Sequence, residues 1–511
     1  MNLKSFYTKI VKIDFRWLLL VLSLIYLLVR LVGLGSDILN SDGSLWYRRS
    51  SNFLSAIENR KYIETYQHYQ PGVTLMWVRS FADYFTGVVL DLINKPRWYI
   101  ENYAYFVHIH AITKSTLVLV LFSLYLYQIL LVRKIFGVKT ALIFGLIAAV
   151  EPYLIGIDRW FHLISLEAYF SFSAFLTILY WNRKDFNDRN RLWALILSGS
   201  LYGLSVLSKT TGIISLLPIL VVLILNSCKN KNSVSKFYTF LNFALFAVAF
   251  VLTLFLVFPA LSQDFNYVTK ELFDAIRDAS KVTGARSFGS VISGFYYYAR
   301  IFVFKLSPVT LMLLLSAIIY GFKKKNEFYT LEVKAIVLYV LSFYALLSIA
   351  SKRADRYSID FMLPVILFVS IFASRLSSRV LALTVTGILI VTVYVGINNY
   401  PVFSNYFSPL LGGEYGAIKA GAFDNNGEYF AQAALYLNQF EKTKICIPNN
   451  TEAFKYFSKH EITFTPEEAG YAVYSIDSGR HEAPSEYCGP LFKTFGPKFE
   501  KPVIYVYKCV R

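Results

Sequence analysis

The chain has 511 residues, 56% of them hydrophobic and 17% aromatic, with a mean hydropathy of +0.47. A soluble domain of this length carries far less apolar surface, so the composition excludes a soluble globular enzyme and points to a membrane protein. The formal charge of +18 falls largely in short loops between apolar runs, where Lys and Arg set topology and meet anionic lipid, so no nucleic-acid partner is needed.

The first apolar run, "WLLLVLSLIYLLVRLVGLG" (17–35), is long enough to cross a hydrocarbon core of roughly 30 Å. Lys4, Lys9, Lys12 and Arg16 precede it, as basic residues precede a signal peptide. Its apolar core exceeds the ~7–15 residues of a signal h-region, which predicts an uncleaved first helix. Arg30 lies near the outer end, within snorkelling reach of the interface. With the N-terminus cytoplasmic, hydropathy predicts about eleven spans: 15–34, 112–132, 140–157, 164–181, 192–207, 211–227, 237–258, 301–321, 335–350, 361–373 and 380–396.

This choice puts "RKIFGVK" (133–139), "NRKDFNDRNR" (182–191), "CKNKNSVSK" (228–236), "FKKKNEFYTLEVK" (322–334) and "SRLSSR" (374–379) on the cytoplasmic side, in accord with the positive-inside rule. A further span at 71–93 would turn all of them outward. That segment carries Arg79, Asp83 and Asp91 and reads as an interfacial or partly inserted helix. The expectation is an all-α polytopic membrane domain over 1–396, with a long first outer loop at 35–111, and an extracytoplasmic α/β domain over 397–511. In that tail "KICIPN", "YAVYSI" and "KPVIYVYK" read as strands and "EYFAQAALYLNQF" as a helix. Of the four cysteines, Cys446, Cys488 and Cys509 fall there. A disulfide among them suits an outer domain, and spacing does not choose the pair.

The outer loops hold the polar groups that could do chemistry. The first begins with Asp42, followed by Arg48, Arg49, His68, Pro71 and Trp77; the next ones bring Arg159 and His162, then Lys209, and later Arg353, Arg356 and Tyr357. A carboxylate among several cations at the outer leaflet suits transfer of a sugar from a lipid phosphate. Cations stabilise the charge developing on the leaving phosphate, and the carboxylate draws the proton from an acceptor hydroxyl.

Five stretches in this order, "SDGSLWYRRSSNFLSAIENRKYIETYQHYQPGVTLMW", "EPYLIGIDRWFHLISLEAYF", "LYGLSVLSKTTGIISLLP", "KRADRYSIDFMLP" and "FSNYFSPLLGGEYGAIKAGAFDNNGEYFAQAALYLN", resemble the GT-C membrane glycosyltransferases that use polyprenyl-phosphate sugars. The similarity is to the protein O-mannosyltransferases and aminoarabinose lipid A transferases. The resemblance implies that Asp42 is the catalytic carboxylate, and that an inverting transfer delivers a hexose or pentose to an acceptor on protein, lipid or glycan. It favours Arg356 and Tyr357 as lipid-phosphate contacts with Lys209, joined by Arg353 and Arg159, and leaves His68, His162 and Arg48 as candidates for substrate contact. The family usually has Glu where this chain has Gly43, and an Asp where it has Ile164.

Structural readings stand beside these. Asp42 is also a good N-cap for the helix that "GSLWYRRSSNFLSAI" suggests, and Lys209 could be an interfacial anchor. Arg159 and His162, three apart, could share a helical face. Nothing has strong metal-ligand spacing, so a divalent metal stays an open cofactor. The expected site is a multi-pass protein of the plasma (inner) membrane; a polyprenyl-lipid transporter or a non-catalytic envelope scaffold are the rival functions.

Overall fold

The structure, a computed structural model, describes residues 14–96, 98, 102–183, 189–228, 233–281, 288–350, 352–448, 451–476 and 487–509. Lys4, Lys9 and Lys12, and the loop residues 184–188 and 229–232, lie outside them. The apolar runs form α1 (Phe15–Leu31), α4 (Tyr103–Phe136), α5 (Val138–Val150), α6 (Pro152–Asp158), α7 (Leu163–Trp181), α8 (Arg189–Ser208), α9 (Leu216–Cys228) and α10 (Ser233–Val257). Later come α11 (Phe265–Lys281), α12 (Phe288–Lys305), α13 (Pro308–Lys323), α14 (Leu331–Ile349), α15 (Ile359–Ala373) and α16 (Ser378–Asn399). The first outer loop supplies α2 (Gly43–Glu58) and α3 (Val73–Leu92).

Each apolar segment expected to span is helical, but two are broken. Among the described residues seven helices are long and apolar enough to cross a membrane, or eight if the bent pair α5 and α6 is one span. α5 and α6 meet at a bend of 64°, where Glu151 precedes the helix-starting Pro152. The second break falls at Leu306 and Ser307, between α12 and α13. The two breaks face each other chemically. The Glu151 carboxylate accepts from the Ser307 backbone N–H (2.6 Å), Ser307 Oγ (3.1 Å) and Thr310 Oγ1 (2.6 Å). It thereby satisfies donors that the start of α13 leaves without intrahelical partners. α3 is not among the candidate spans, and its Arg79 and Asp83 pair at 2.5 Å one turn apart.

α7 and α15 form the centre: 94% of each spanning window is buried, whereas α10 and α16 are only 17% buried and present apolar sides outward. A helix apolar on all sides belongs inside a bundle or against lipid, and both fates occur here.

Arg30 does not snorkel. It is fully buried; its guanidinium donates to Asp158 Oδ2 (2.9 Å), Ala149 O (2.7 Å) and Ala148 O (3.1 Å). Asp158 and the carbonyls freed by the bend after α5 give this cation partners inside the protein, so it has no need of the interface. Arg159 and His162 share no helical face, because α6 ends at Asp158 and α7 begins at Leu163.

The C-terminal domain is a five-stranded mixed sheet, β1 (Lys444–Cys446), β2 (Glu461–Thr463), β3 (Tyr471–Ser475), β4 (Cys488–Phe495) and β5 (Ile504–Cys509), in the order β2-β1-β3-β5-β4. β1 pairs in parallel with β2 and β3, while β5 is antiparallel to β3 and β4. A Cys488–Cys509 disulfide ties β4 to β5, and Cys446 is buried. The segment before the sheet sits on the helices. Gln432 Nε2 donates to the carbonyls of Ser36 (2.6 Å) and Asp37 (2.7 Å). Gly156 of α6 runs so close to Ser404 that a Cβ would stand 2.3 Å from its backbone nitrogen.

Candidate active site

The turn before α2 is fixed by Asn40. Its side-chain carbonyl accepts from the Asp42 N–H (3.1 Å) and its backbone carbonyl from the Gly43 N–H (2.8 Å). A Cβ on Gly43 would lie 2.5 Å from Leu39 Cδ1, so a larger residue there would displace the Leu39 side chain. Asp42 makes no side-chain cap to α2. Its Oδ2 instead accepts from Arg356 Nη2 at 2.9 Å and lies 3.5 Å from His162 Nε2. The Asp42 side chain is 36% exposed, against 9% for Arg356 and 5% for His162. The carboxylate is therefore the open member of a buried cationic seat.

His162 Nδ1 accepts from the Ile164 N–H (3.3 Å) at the start of α7, which assigns the proton to Nε2, on the side of Asp42. Burial pushes the His162 imidazole down to about 4, against the opposing pull of Asp42. It serves as a neutral donor. That hydrogen bond, with the Arg356 charge acting against the burial penalty, holds the Asp42 carboxyl well below the usual carboxylate range.

Lys209 follows α8, where a glycine turn brings the chain back: a Cβ on Gly212 would meet Ser205 Oγ at 2.4 Å. The first outer loop grips the same corner. Gln70 Oε1 accepts from the Thr210 N–H (3.3 Å) and Oγ1 (3.0 Å), and the Gly72 N–H donates to Ser208 O (3.1 Å). Lys209 Nζ lies 3.4 Å from Glu167 Oε2 and 4.0 Å from the centre of the Tyr357 ring. The Arg356 guanidinium stands 5.6 Å from the same ring. Lys209, Tyr357, Arg356, Asp42 and His162 thus form one continuous string. The Nε of Arg356 is buried and has no hydrogen-bond partner among the described residues, which leaves a donor for an anion.

The other expected site residues lie elsewhere. Arg159 is 1% exposed. It bonds Asp37 and the carbonyls of Val29, Arg30 and Val32, so it fastens α6 to α1, with its Nη2 buried 3.2 Å from Asp37 Oδ2. His68 stacks edge-on against Trp46 at 6.2 Å, its Nδ1 accepting from the Gln70 N–H (3.1 Å). Burial, with Arg49 beside it, lowers its pKa to about 4. Arg48 is exposed, and Arg353 reaches Ser293 Oγ at 3.2 Å.

Three partners were not foreseen. Asn426, from the segment before the sheet, accepts from Arg356 Nη1 (2.8 Å) through its side chain and from the Ser41 N–H (2.9 Å) through its carbonyl. Glu167 pairs with Lys209, and Asp360 lies at the same corner with both carboxyl oxygens lacking hydrogen-bond partners among the described residues. Carboxylates inside apolar runs are costly and signal a function, so Glu167 and Asp360 were readable; nothing in "DNN" singles out Asn426. Among the described residues no three His, Cys, Asp or Glu side chains converge as a metal-ligand set. Besides Asp42, Asp355 and Asp424 lie within electrostatic reach of Arg356.

The sequence profile of the dolichyl-phosphate-mannose-protein mannosyltransferases matches residues 106–256. The fold is similar to crystal structures of ArnT from Cupriavidus metallidurans. With undecaprenyl phosphate bound, that protein is 13% identical and superposes with a TM-score of 0.54 over 97% of this chain and 98% of that one. Its apo state gives 13% and 0.52 over 96% and 97%. No curated protein matches the sequence. The fold is therefore GT-C, as in ArnT, and residues 106–256 are similar in sequence to the dolichyl-phosphate-mannose-protein mannosyltransferases.

Proposed function

We propose that the protein transfers a hexose or pentose from a polyprenyl phosphate to an acceptor hydroxyl at the outer face of the plasma (inner) membrane, with inversion, Asp42 acting as base. The observation that carries this reading is the half-exposed Asp42 carboxylate seated on buried Arg356 and His162, beside Lys209 and Tyr357. The acceptor oxygen attacks the anomeric carbon as the bond to the phosphate oxygen breaks. The hydroxyl proton passes to Asp42, and the electron pair leaves with the polyprenyl phosphate. Lys209 and the Nε of Arg356, which has no hydrogen-bond partner among the described residues, stabilise that phosphate as its charge grows. A carboxylate of lowered proton affinity takes the proton late, once bond formation has made the oxygen acidic. With the N-terminus cytoplasmic, the sheet domain over 397–511 lies outside, beside the site.

Transfer from a panel of polyprenyl-phosphate sugars by the protein in lipid nanodiscs tests this. Lys209→Ala is expected to raise the KM for the donor at least tenfold, about 1.4 kcal/mol of lost phosphate binding. Transfer from no donor, or an unchanged donor KM, contradicts the reading.

A further inference from the structure

An open cavity of about 450 Å³ is lined by Asn52, Ser55, Ile63, Glu64, Tyr66, Gln67 and Tyr267. That is within the ~300–1,000 Å³ of small-molecule sites. Its two walls both lead back to the candidate active site. One wall is α2, which starts at Asp42; Asn52 stands ten residues on, about 15 Å along the axis at ~1.5 Å per residue. The other is the loop of residues 62–72, whose Gln70 and Gly72 hold the corner of Lys209. The floor is rigid. Phe53, Val73, Met76, Leu207, Phe258 and Val268 pack beneath it, and buried Thr65 accepts from the Ala260 N–H at 2.9 Å.

The lining is chemically specific. Asn52 Nδ2 donates to Gln67 Oε1 (3.2 Å), and Gln67 Nε2 to the Glu64 carbonyl (2.7 Å), which orients two planar amides along one wall. The Tyr66 and Tyr267 rings meet edge to face at 6.3 Å across the opening. Glu64 is exposed there, and Glu271 lies near Tyr66. Amides, a carboxylate and tyrosine rings bind the hydroxyls and C–H faces of sugars, and Glu64, paired with Lys61 at 3.5 Å, adds no net charge to the rim, which suits an uncharged ligand. Ile63 is the one aliphatic side chain in the lining, too little to anchor an apolar peptide side chain or lipid tail.

We infer that this groove is the acceptor subsite and that it takes an uncharged carbohydrate chain, whose terminal sugar reaches Asp42 while the preceding units lie between α2, the 62–67 turn and Tyr267. The inference rests on the transferase reading, so its test is a binding measurement that needs no turnover. The full chain carrying Asp42→Asn, in nanodiscs, is titrated with fluorescent neutral oligosaccharides, acidic oligosaccharides and unfolded peptides. Expected is saturable binding of a neutral oligosaccharide, weakened at least tenfold by Asn52→Leu and by Tyr267→Ala with unchanged melting temperature, and no binding of the other two classes. Both substituted residues are exposed, so the fold tolerates them. Peptide or acidic-glycan binding that depends on the same two residues, or neutral-glycan binding indifferent to them, or none at all, overturns the groove. Wild-type sugar transfer, measured alongside, tells that failure apart from a failure of the transferase reading.

Discussion

At the scale of single residues, the account turns on what Asp42 does with its charge. A carboxyl held below its usual range keeps its charge as pH falls and loses it only through the lowered value, where an ordinary aspartate is half protonated near pH ~4. The rate of the wild type is therefore expected to hold down to about pH 4, with His162 neutral over the range above its own value of about 4. His162→Ala removes the largest influence holding the Asp42 carboxyl down, so the acid limb of kcat moves upward. A pH profile unchanged in that variant contradicts the pairing. From sequence, Asp42 could cap α2, act in catalysis or do both; the structure shows no cap, because the side chain turns from the α2 N–H groups to Arg356. Arg159 misled because an arginine beside an outer loop looks the same whether it meets a phosphate or, as here, the carbonyls at the end of α1.

At the scale of elements, hydropathy located the helical segments because runs of Leu, Ile, Phe and Val are unambiguous. It could not place the breaks, which arise from partners distant in sequence. Glu151 and Ser307 lie 156 residues apart and still share two hydrogen bonds. Glu151→Ala is expected to strand the first donors of α13 in a buried setting, at a cost of about 1–3 kcal/mol. Thermal unfolding in detergent, compared with Glu151→Gln, reads this out: the Gln variant retains one acceptor and loses less. Equal melting temperatures for all three proteins would show that the clasp between the two breaks does not hold them. The short strands divide along similar lines. β1, β3 and β5 are β-branched and aromatic and were legible. β2 has only three residues, and β4 carries Gly489 and Pro490 just after its first residue, with shifts in its pairing to β5.

At the scale of the whole molecule, the C-terminal segment is part of the site. Asn426 joins Arg356 to the Ser41 backbone, and Gly427 passes so close to the first outer loop that a Cβ would stand 2.7 Å from Leu39 O. Asn426→Ala is expected to lower kcat about tenfold, because Arg356 loses one of its two anchors, without lowering the melting temperature by more than a few degrees. A melting temperature that collapses with activity would assign Asn426 to the fold. This dependence across 70 residues of separation leaves no mark in the sequence, since order along the chain does not reveal which tail segment folds back.

The most direct test of the central claim is transfer of labelled sugar from its polyprenyl-phosphate donor by the wild type and by Asp42→Asn, a nearly isosteric change that removes the charge. The account predicts transfer with inversion by the wild type, and a loss of about 10²–10⁴-fold in the variant while its folding and donor binding persist. Equal transfer by the two proteins would contradict it, and would place the base elsewhere than Asp42.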